Sequence, residues 1–338
     1  MTIDRMLRKF IKPFALALAI LPALGLSLWS FGALSFDGPG ALVAVLVMAA
    51  ILAVMGFFKF RWRAWAVWGA CMAAILVWWF SQNPPLDGEW QPDVAQLATA
   101  EVDGDVITFH NVRDCEYRSE SDFTPRWITR QVRLSSLTGV DIAINYWGSP
   151  WMAHPIISFT FSDAPPLAFS IETRKRVGQS YSAIGGLYRQ FSLIYIVAEE
   201  RDVLGVRAVH RKGEDVYLYR TTLSPEKART RLLEYIDSIN ALAQRPRWYN
   251  AITTNCTTAI RSQNTGGKRT PWDWRILVNG KADEMMFDLG AFETGGLDFP
   301  TLKKNVHANA AIIAAEGAPD FSNRIRAMNP SFPPTYGN

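Results

Sequence analysis

Three uncharged apolar runs open the chain and constrain it most: Phe14 to Leu34, Ala41 to Phe58 and Ala64 to Phe80. A helix crosses a bilayer core with about 20 apolar residues, and about 17 still suffice. The runs therefore predict three transmembrane helices. Core helices of a soluble domain are the competing reading, but uncharged runs of this length are rare in soluble cores. A signal peptide would need a small-residue cleavage site after the first run, and none stands out. Two further runs also follow it closely.

Charge orients the spans. Residues 1–83 hold seven Lys and Arg and two acids, for a net of +5, and the remainder of the chain nets −1. The basic pI near 8.9 is thus a property of the first quarter. Four basic residues precede the first run, and Lys59, Arg61 and Arg63 separate the second from the third. The first connection, residues 35–40, has none. Cytoplasmic loops collect Lys and Arg, which predicts a cytoplasmic N-terminus and everything after Ser81 outside. Trp62 and Trp65 at one end of the third run, and Trp78 and Trp79 at the other, fit interfacial anchors. The neutral outer part does not fit a nucleic-acid surface.

After Ser81 the pattern changes. Residues 84–104, beginning Pro84-Pro85-Leu86-Asp87-Gly88, read as a linker. From about 105 the chain reads as a mixed α+β domain. Strands are predicted at Val106–Phe109, Val140–Ile144, Ile156–Phe161, Leu167–Ile171, Phe191–Val197 and Val216–Tyr219, with a hairpin turn at Asp163–Pro166. Ser224 is a cap candidate and Pro225 suits a first helical position. Leu232, Leu233, Ile236, Ile239 and Leu242 then recur at helical spacing, ending before Pro246. A shorter helix is predicted from about Asn255 to Gln263, stopped at Asn264–Gly267. The domain runs to about 318, and 319–338 reads as a loose tail.

Chemistry has few candidates. There is no phosphate loop, dinucleotide fingerprint, HExxH or paired CxxC, so neither a cofactor nor a metal is expected. Polar residues precede Cys256 and helix-compatible ones follow, which places its thiol at a helix N-terminus, where thiolate is favoured. Such a nucleophile needs a base, and the base an orienting partner. His154 lies at the start of the Ile156–Phe161 strand. Glu172 follows the partner strand, and a hairpin brings these outer ends together. The bare pattern leaves other readings open: a Cys115–Cys256 disulfide, or an inert buried Cys256. Glu172 also has Arg174 and Arg176 close by as surface partners. His110 and His210 read as surface residues, and His307 has no evident partner.

A family resemblance adds to this. Tyr146-Trp147-Gly148-Ser149-Pro150-Trp151-Met152-Ala153-His154, Ser158–Phe161, Ala168–Arg174, Glu199-Glu200-Arg201-Asp202-Val203 and Trp248-Tyr249-Asn250 with Asn255-Cys256-Thr257-Thr258 carry it. Over about residues 105–300 they resemble the Lnb N-terminal periplasmic domain family. That bacterial family is named for a domain attached to a lacto-N-biosidase, not for that activity. It is similar in turn to circularly permuted papain-like proteins of the NlpC/P60 superfamily.

The resemblance implies an antiparallel sheet packed on a Cys-bearing helix, with His154 before Cys256 as permutation requires. It maps Cys256 to the nucleophile and His154 to the base. Glu172 is the third residue by choice, with Ser170 and Asn145 as competitors. Asn255 and the Cys256 N–H are candidate oxyanion donors. The expected function is an inner-membrane thiol hydrolase or acyltransferase facing the periplasm. Its expected partners are the lipid bilayer and a cell-envelope amide or ester in peptidoglycan peptide, lipoprotein or lipid. A non-catalytic assembly factor or binding module on the same fold is the alternative, and the sequence leaves the oligomeric state open.

Overall fold

The computed structural model describes residues 3–38, 40–57, 62–251, 273–276, 279–327 and 329, with side chains from residue 20 onward apart from 54, 56, 57 and 276. The chain divides into two units. The first holds residues up to Pro84 together with Ser182–Gln190, and the second holds the rest.

In the first unit, three helices follow the three apolar runs: α1 Ile3–Phe36, α2 Ala41–Phe57 and α3 Trp62–Ser81. Among the described residues, α3 alone is long and apolar enough to cross a membrane; Ile20–Phe36 and Ala41–Ala53 are shorter apolar stretches. Two indole N–H groups find partners within the unit. Trp68 Nε1 donates to Ser27 Oγ at 3.0 Å, and Trp79 Nε1 donates to Asp37 Oδ2 at 2.7 Å. Ser182–Gln190 packs here too. Tyr188 stacks on Phe36 with centroids 5.2 Å apart, and the Arg189 guanidinium lies 3.6 Å over the Trp79 ring. Gln190 Nε2 donates to Asp37 Oδ1 at 2.7 Å. Gly32 leaves the space that Tyr188 fills, since a Cβ there would lie 2.2 Å from the phenol ring.

The second unit is an α+β domain around an eight-stranded sheet. Its strands are β1 Thr99–Asp103, β2 Val106–Arg113, β5 Trp127–Arg133, β6 Leu137–Trp147, β7 Ser149–Phe161, β8 Leu167–Arg174, β9 Ser192–Glu199 and β10 Glu214–Arg220. Two short strands, β3 Glu116–Tyr117 and β4 Phe123–Thr124, pair separately. The order is β1-β2-β9-β8-β7-β6-β10, with β5 on β2. All pairings are antiparallel apart from a single parallel bridge, Arg113 to Ala198, between β2 and β9.

Alternation along the strands divides the sheet into two faces. Ile157, Phe159, Phe169, Ile171, Tyr195 and Val197 share one core with Ala228, Leu232, Tyr235, Ile236, Ile239 and Leu242 of the helix Pro225–Gln244. That helix begins as predicted, with Ser224 Oγ accepting from the Lys227 N–H. Aromatic rings knit the layer: Phe159 and Phe169 each lie edge-on to Tyr235, at 5.7 and 5.3 Å. Ala143, Ile156, Ala168, Ile194, Ile196, Val216 and Leu218 form the other face. Leu204, Ile312, Phe321 and Ile325 cover it. With both faces covered, β9 is buried along its whole length.

Three segments differ from the sequence reading. Residues 84–104, read as a linker, contain β1, whose five residues pair with Val106–His110. Three of those five are exposed, so the burial alternation that marks a strand is weak there. The stretch after Pro319, read as loose, includes a helix at Phe321–Ala327, held by buried Phe321, Ile325 and Arg326. Finally, β7 starts at Ser149, well before Ile156. Pro150 and Pro155 hid this extension, because proline cannot donate to a ladder. Here β7 pairs with β6 from Ser149 onward, whereas β8 joins it only over Ile156–Phe159.

Candidate functional site

The same alternation assembles the site. Even-numbered residues of β7 and β8 point away from the helix Pro225–Gln244, so His154, Ser170 and Glu172 share the second face with Ile156 and Ala168. Beyond the irregularity at Leu137–Gly139, odd-numbered residues of β6 such as Ala143 face the same way, and Asn145 stands opposite His154 in the β6–β7 register.

His154 and Glu172 come together through Ser170. His154 Nε2 lies 2.7 Å from Ser170 Oγ, and Ser170 Oγ donates to Glu172 Oε1 at 2.7 Å. Glu172 also accepts from Arg207 Nη2 at 2.9 Å. Arg207 is fixed in turn by Nη1 donating to the Val203 carbonyl at 2.7 Å, and its side chain is only 5% exposed. Asn145 turns elsewhere: its Nδ2 donates to Glu214 Oε2 at 2.6 Å.

These contacts set the charge states. Burial, with the nearby Arg207 and Arg211 charges adding to it, pushes the His154 imidazole down to about 3, against an opposing pull from Glu172. The ring is therefore neutral at pH 7. Burial works to raise the Glu172 carboxyl, but Arg207, Arg113 and His154 together hold it well below the usual carboxylate range. A neutral imidazole keeps a lone pair that can accept a proton, burial and Arg207 make it a weak base, and the ionised Glu172 offsets part of that loss.

Cys256 and Asn255, and the short helix predicted to carry them, lie outside the described residues. Cys115 is a free, buried thiol. Burial is the main cause that pushes its thiol up to about 11, the opposite of an activated cysteine. The remaining histidines each lie near an acid: His110 by Glu101 at 3.7 Å, His210 by Glu316 at 3.3 Å and His307 by Asp215 at 3.0 Å. His210 is thus a mostly buried residue, with a side chain 15% exposed, and His307 has the partner its sequence did not reveal.

The Glu199-Glu200-Arg201-Asp202 segment has a different task. Asp202 accepts from Arg113 at 2.7 and 2.9 Å and from the Cys115 N–H at 2.6 Å. Arg201 grips Asp114 through two bonds, at 2.7 and 2.5 Å. Glu200 takes both terminal nitrogens of Arg326 at 2.7 Å, while Arg326 Nε donates to Asp141 at 2.8 Å. Each of these residues meets a partner distant in sequence, so the motif ties strands and the last helix together.

The sequence reading misses Arg207. It is the lone charge in Val203-Leu204-Gly205-Val206-Arg207-Ala208-Val209, and an isolated charge in an apolar run marks a buried, partnered one. It is carried by a single π turn, Val206–His210, a geometry enriched at functional sites.

Fold and site together define an α+β domain with a polar chain, ending in a neutral histidine, on one covered face of its sheet. Residues 123–280 match the family model described as the Lnb N-terminal periplasmic domain. The family is one of periplasmic domains, which supports a periplasmic place for the segment. No curated protein and no solved structure matches the chain.

Proposed function

We propose that the protein is a membrane-anchored, periplasm-facing thiol hydrolase or acyltransferase on a permuted papain-like domain. The observation that carries this reading is the neutral His154 ring, held at Nε2 by Ser170. Cys256 and its neighbour Asn255 enter from the sequence and the family resemblance.

In the proposed reaction, His154 takes the proton of the Cys256 thiol as sulfur bonds to an amide or ester carbonyl carbon. The carbonyl oxygen becomes an oxyanion, for which the Asn255 side chain and the Cys256 N–H are donors. The carbon–nitrogen or carbon–oxygen bond then breaks, and His154 returns the proton to the leaving group. Water or an amine next attacks the thioester and frees the thiol. Peptidoglycan peptides, lipoproteins and lipids are the substrates at hand for a domain tethered to the inner membrane. The anchor in this proposal is the three apolar helices, with the N-terminus cytoplasmic, and the long apolar α3 and the periplasmic family support it.

An electrophilic thiol probe tests the core of the proposal. Folded, reduced wild-type protein is expected to be labelled at Cys256, and Cys256→Ser to lose that labelling. Labelling confined to other cysteines would favour a non-catalytic assembly or binding module instead. A C-terminal alkaline phosphatase fusion is expected to be active, and an inactive fusion would overturn the orientation.

A further inference from the structure

We infer that Ser170 and Arg207 are positioning residues that fix the proton of His154 on Nε2 and leave Nδ1 as the open base. The inference rests on the thiol reading for its catalytic meaning, while its geometry stands on described residues.

Counting protons decides which way the hydrogen bonds run. A serine hydroxyl carries one proton, and an ionised carboxylate only accepts. Ser170 Oγ lies 2.7 Å from both Glu172 Oε1 and His154 Nε2. If Ser170 gave its proton to the imidazole, its oxygen would face the carboxylate across 2.7 Å with no hydrogen between them. The proton therefore goes to Glu172, and the Ser170 lone pair accepts from His154 Nε2–H. A neutral imidazole has one N–H, so Nδ1 keeps its lone pair.

Arg207 makes this order stable. Glu172 must stay ionised to claim the serine proton, and the Arg207 guanidinium at 2.9 Å holds it so. Arg207 cannot drift, because Val203 O pins its other arm. The charged groups around the ring come from several elements: Glu172 on β8, Arg207 and Arg211 from the π turn and its end, and Arg113 on β2 toward Glu172. Glu214 on β10 is engaged by Asn145 and Arg211. The positive groups nearest the ring disfavour a second proton on it, so Nδ1 keeps its lone pair at pH 7.

A purely structural chain would tie β8 to the π turn without caring where the imidazole proton sits. Ring-nitrogen spectroscopy separates the two. The full chain, in detergent micelles and labelled with nitrogen-15 histidine, has only four histidines. His154→Gln identifies the signals of His154. The expected result is a single Nε2–H tautomer, uncharged down to about pH 5. An Nδ1–H tautomer, an averaged pattern or an imidazolium at pH 7 would overturn the inference.

Ser170→Ala is expected to lose the single-tautomer pattern, and Ser170→Thr, which keeps the hydroxyl, to restore it. Arg207→Gln is expected to let His154 gain its second proton above about pH 5. An unchanged tautomer and titration in folded Arg207→Gln would remove Arg207 from the device. Should that variant not fold, Arg207→Met, of similar bulk and without charge, replaces it, and a His154 titration unchanged there would remove Arg207 just as firmly. The correct tautomer with an unlabelled Cys256 would sink the thiol reading alone. A labelled Cys256 with the wrong tautomer would sink this inference alone.

Discussion

The ion pairs of Glu200–Asp202 and the chain that ends at His154 are both built from buried charge, yet they close differently. In the first, Arg326 meets Glu200 and Asp141, and Arg113 meets Asp202, with acid and base in direct contact. In the second, Arg207 and Glu172 also pair, but the chain runs on through a hydroxyl to a neutral ring. A closed pair has no proton to move and holds structure. An open-ended chain leaves a lone pair at its tip and is able to do chemistry.

The largest expected effect breaks the closed side. Arg326→Ala strands Glu200 in the interior, while Arg220 still holds Asp141, and removing one partner of a buried pair costs about 3–5 kcal/mol. The unfolding midpoint in urea of the full chain should fall accordingly. A drop no larger than that of a surface substitution would mean the pairs contribute little.

Acid should distinguish the open side. The folded pKa of His154, about 3, lies below the ordinary 6.5, so the unfolded chain binds a proton that the folded one refuses. Stability is complete above pH 6.5 and declines as pH falls from there toward 3. The carboxylates Glu172 and Glu200 have lowered folded pKa values, so their contribution is lost only below about 4.5. Between pH 6.5 and 4.5 His154 contributes a slope of falling stability toward acid, which the burial-raised Glu199 carboxyl opposes. His154→Gln should flatten it in a series of melts, and an unaltered slope would contradict the neutral ring.

Smaller still, Ser170→Ala removes a bridging hydroxyl. It should lower stability by about 1 kcal/mol, far less than its effect on the tautomer. Arg118→Ala sets the floor. Its ion pair with Asp122 is solvent-exposed, and its loss should leave the melting temperature unchanged.

The sequence predicted the parts of this comparison unevenly. The central strands and the Ser224 cap were legible because alternation and capping are local signals. The meeting of His154 and Glu172 followed from hairpin geometry, but Ser170 as the mediator needed one more step: residues 170 and 172 share a face. Arg207 and Arg326 were not legible as partners. Their contacts reach across 35 and 126 residues to Glu172 and Glu200, and no local pattern encodes such a separation. β1 was missed because most of its side chains face solvent.

The nine residues Ser182–Gln190 belong to the helical unit although the chain reaches them from the sheet domain. A soluble fragment cut at Pro84 would therefore carry a tongue stripped of its seat. Tyr188 would lose Phe36, Arg189 would lose Trp79 and Gln190 would lose Asp37. Work on the sheet domain alone calls for shortening that tongue as well, since Tyr188 and Arg189 would otherwise face solvent without the rings they pack on here.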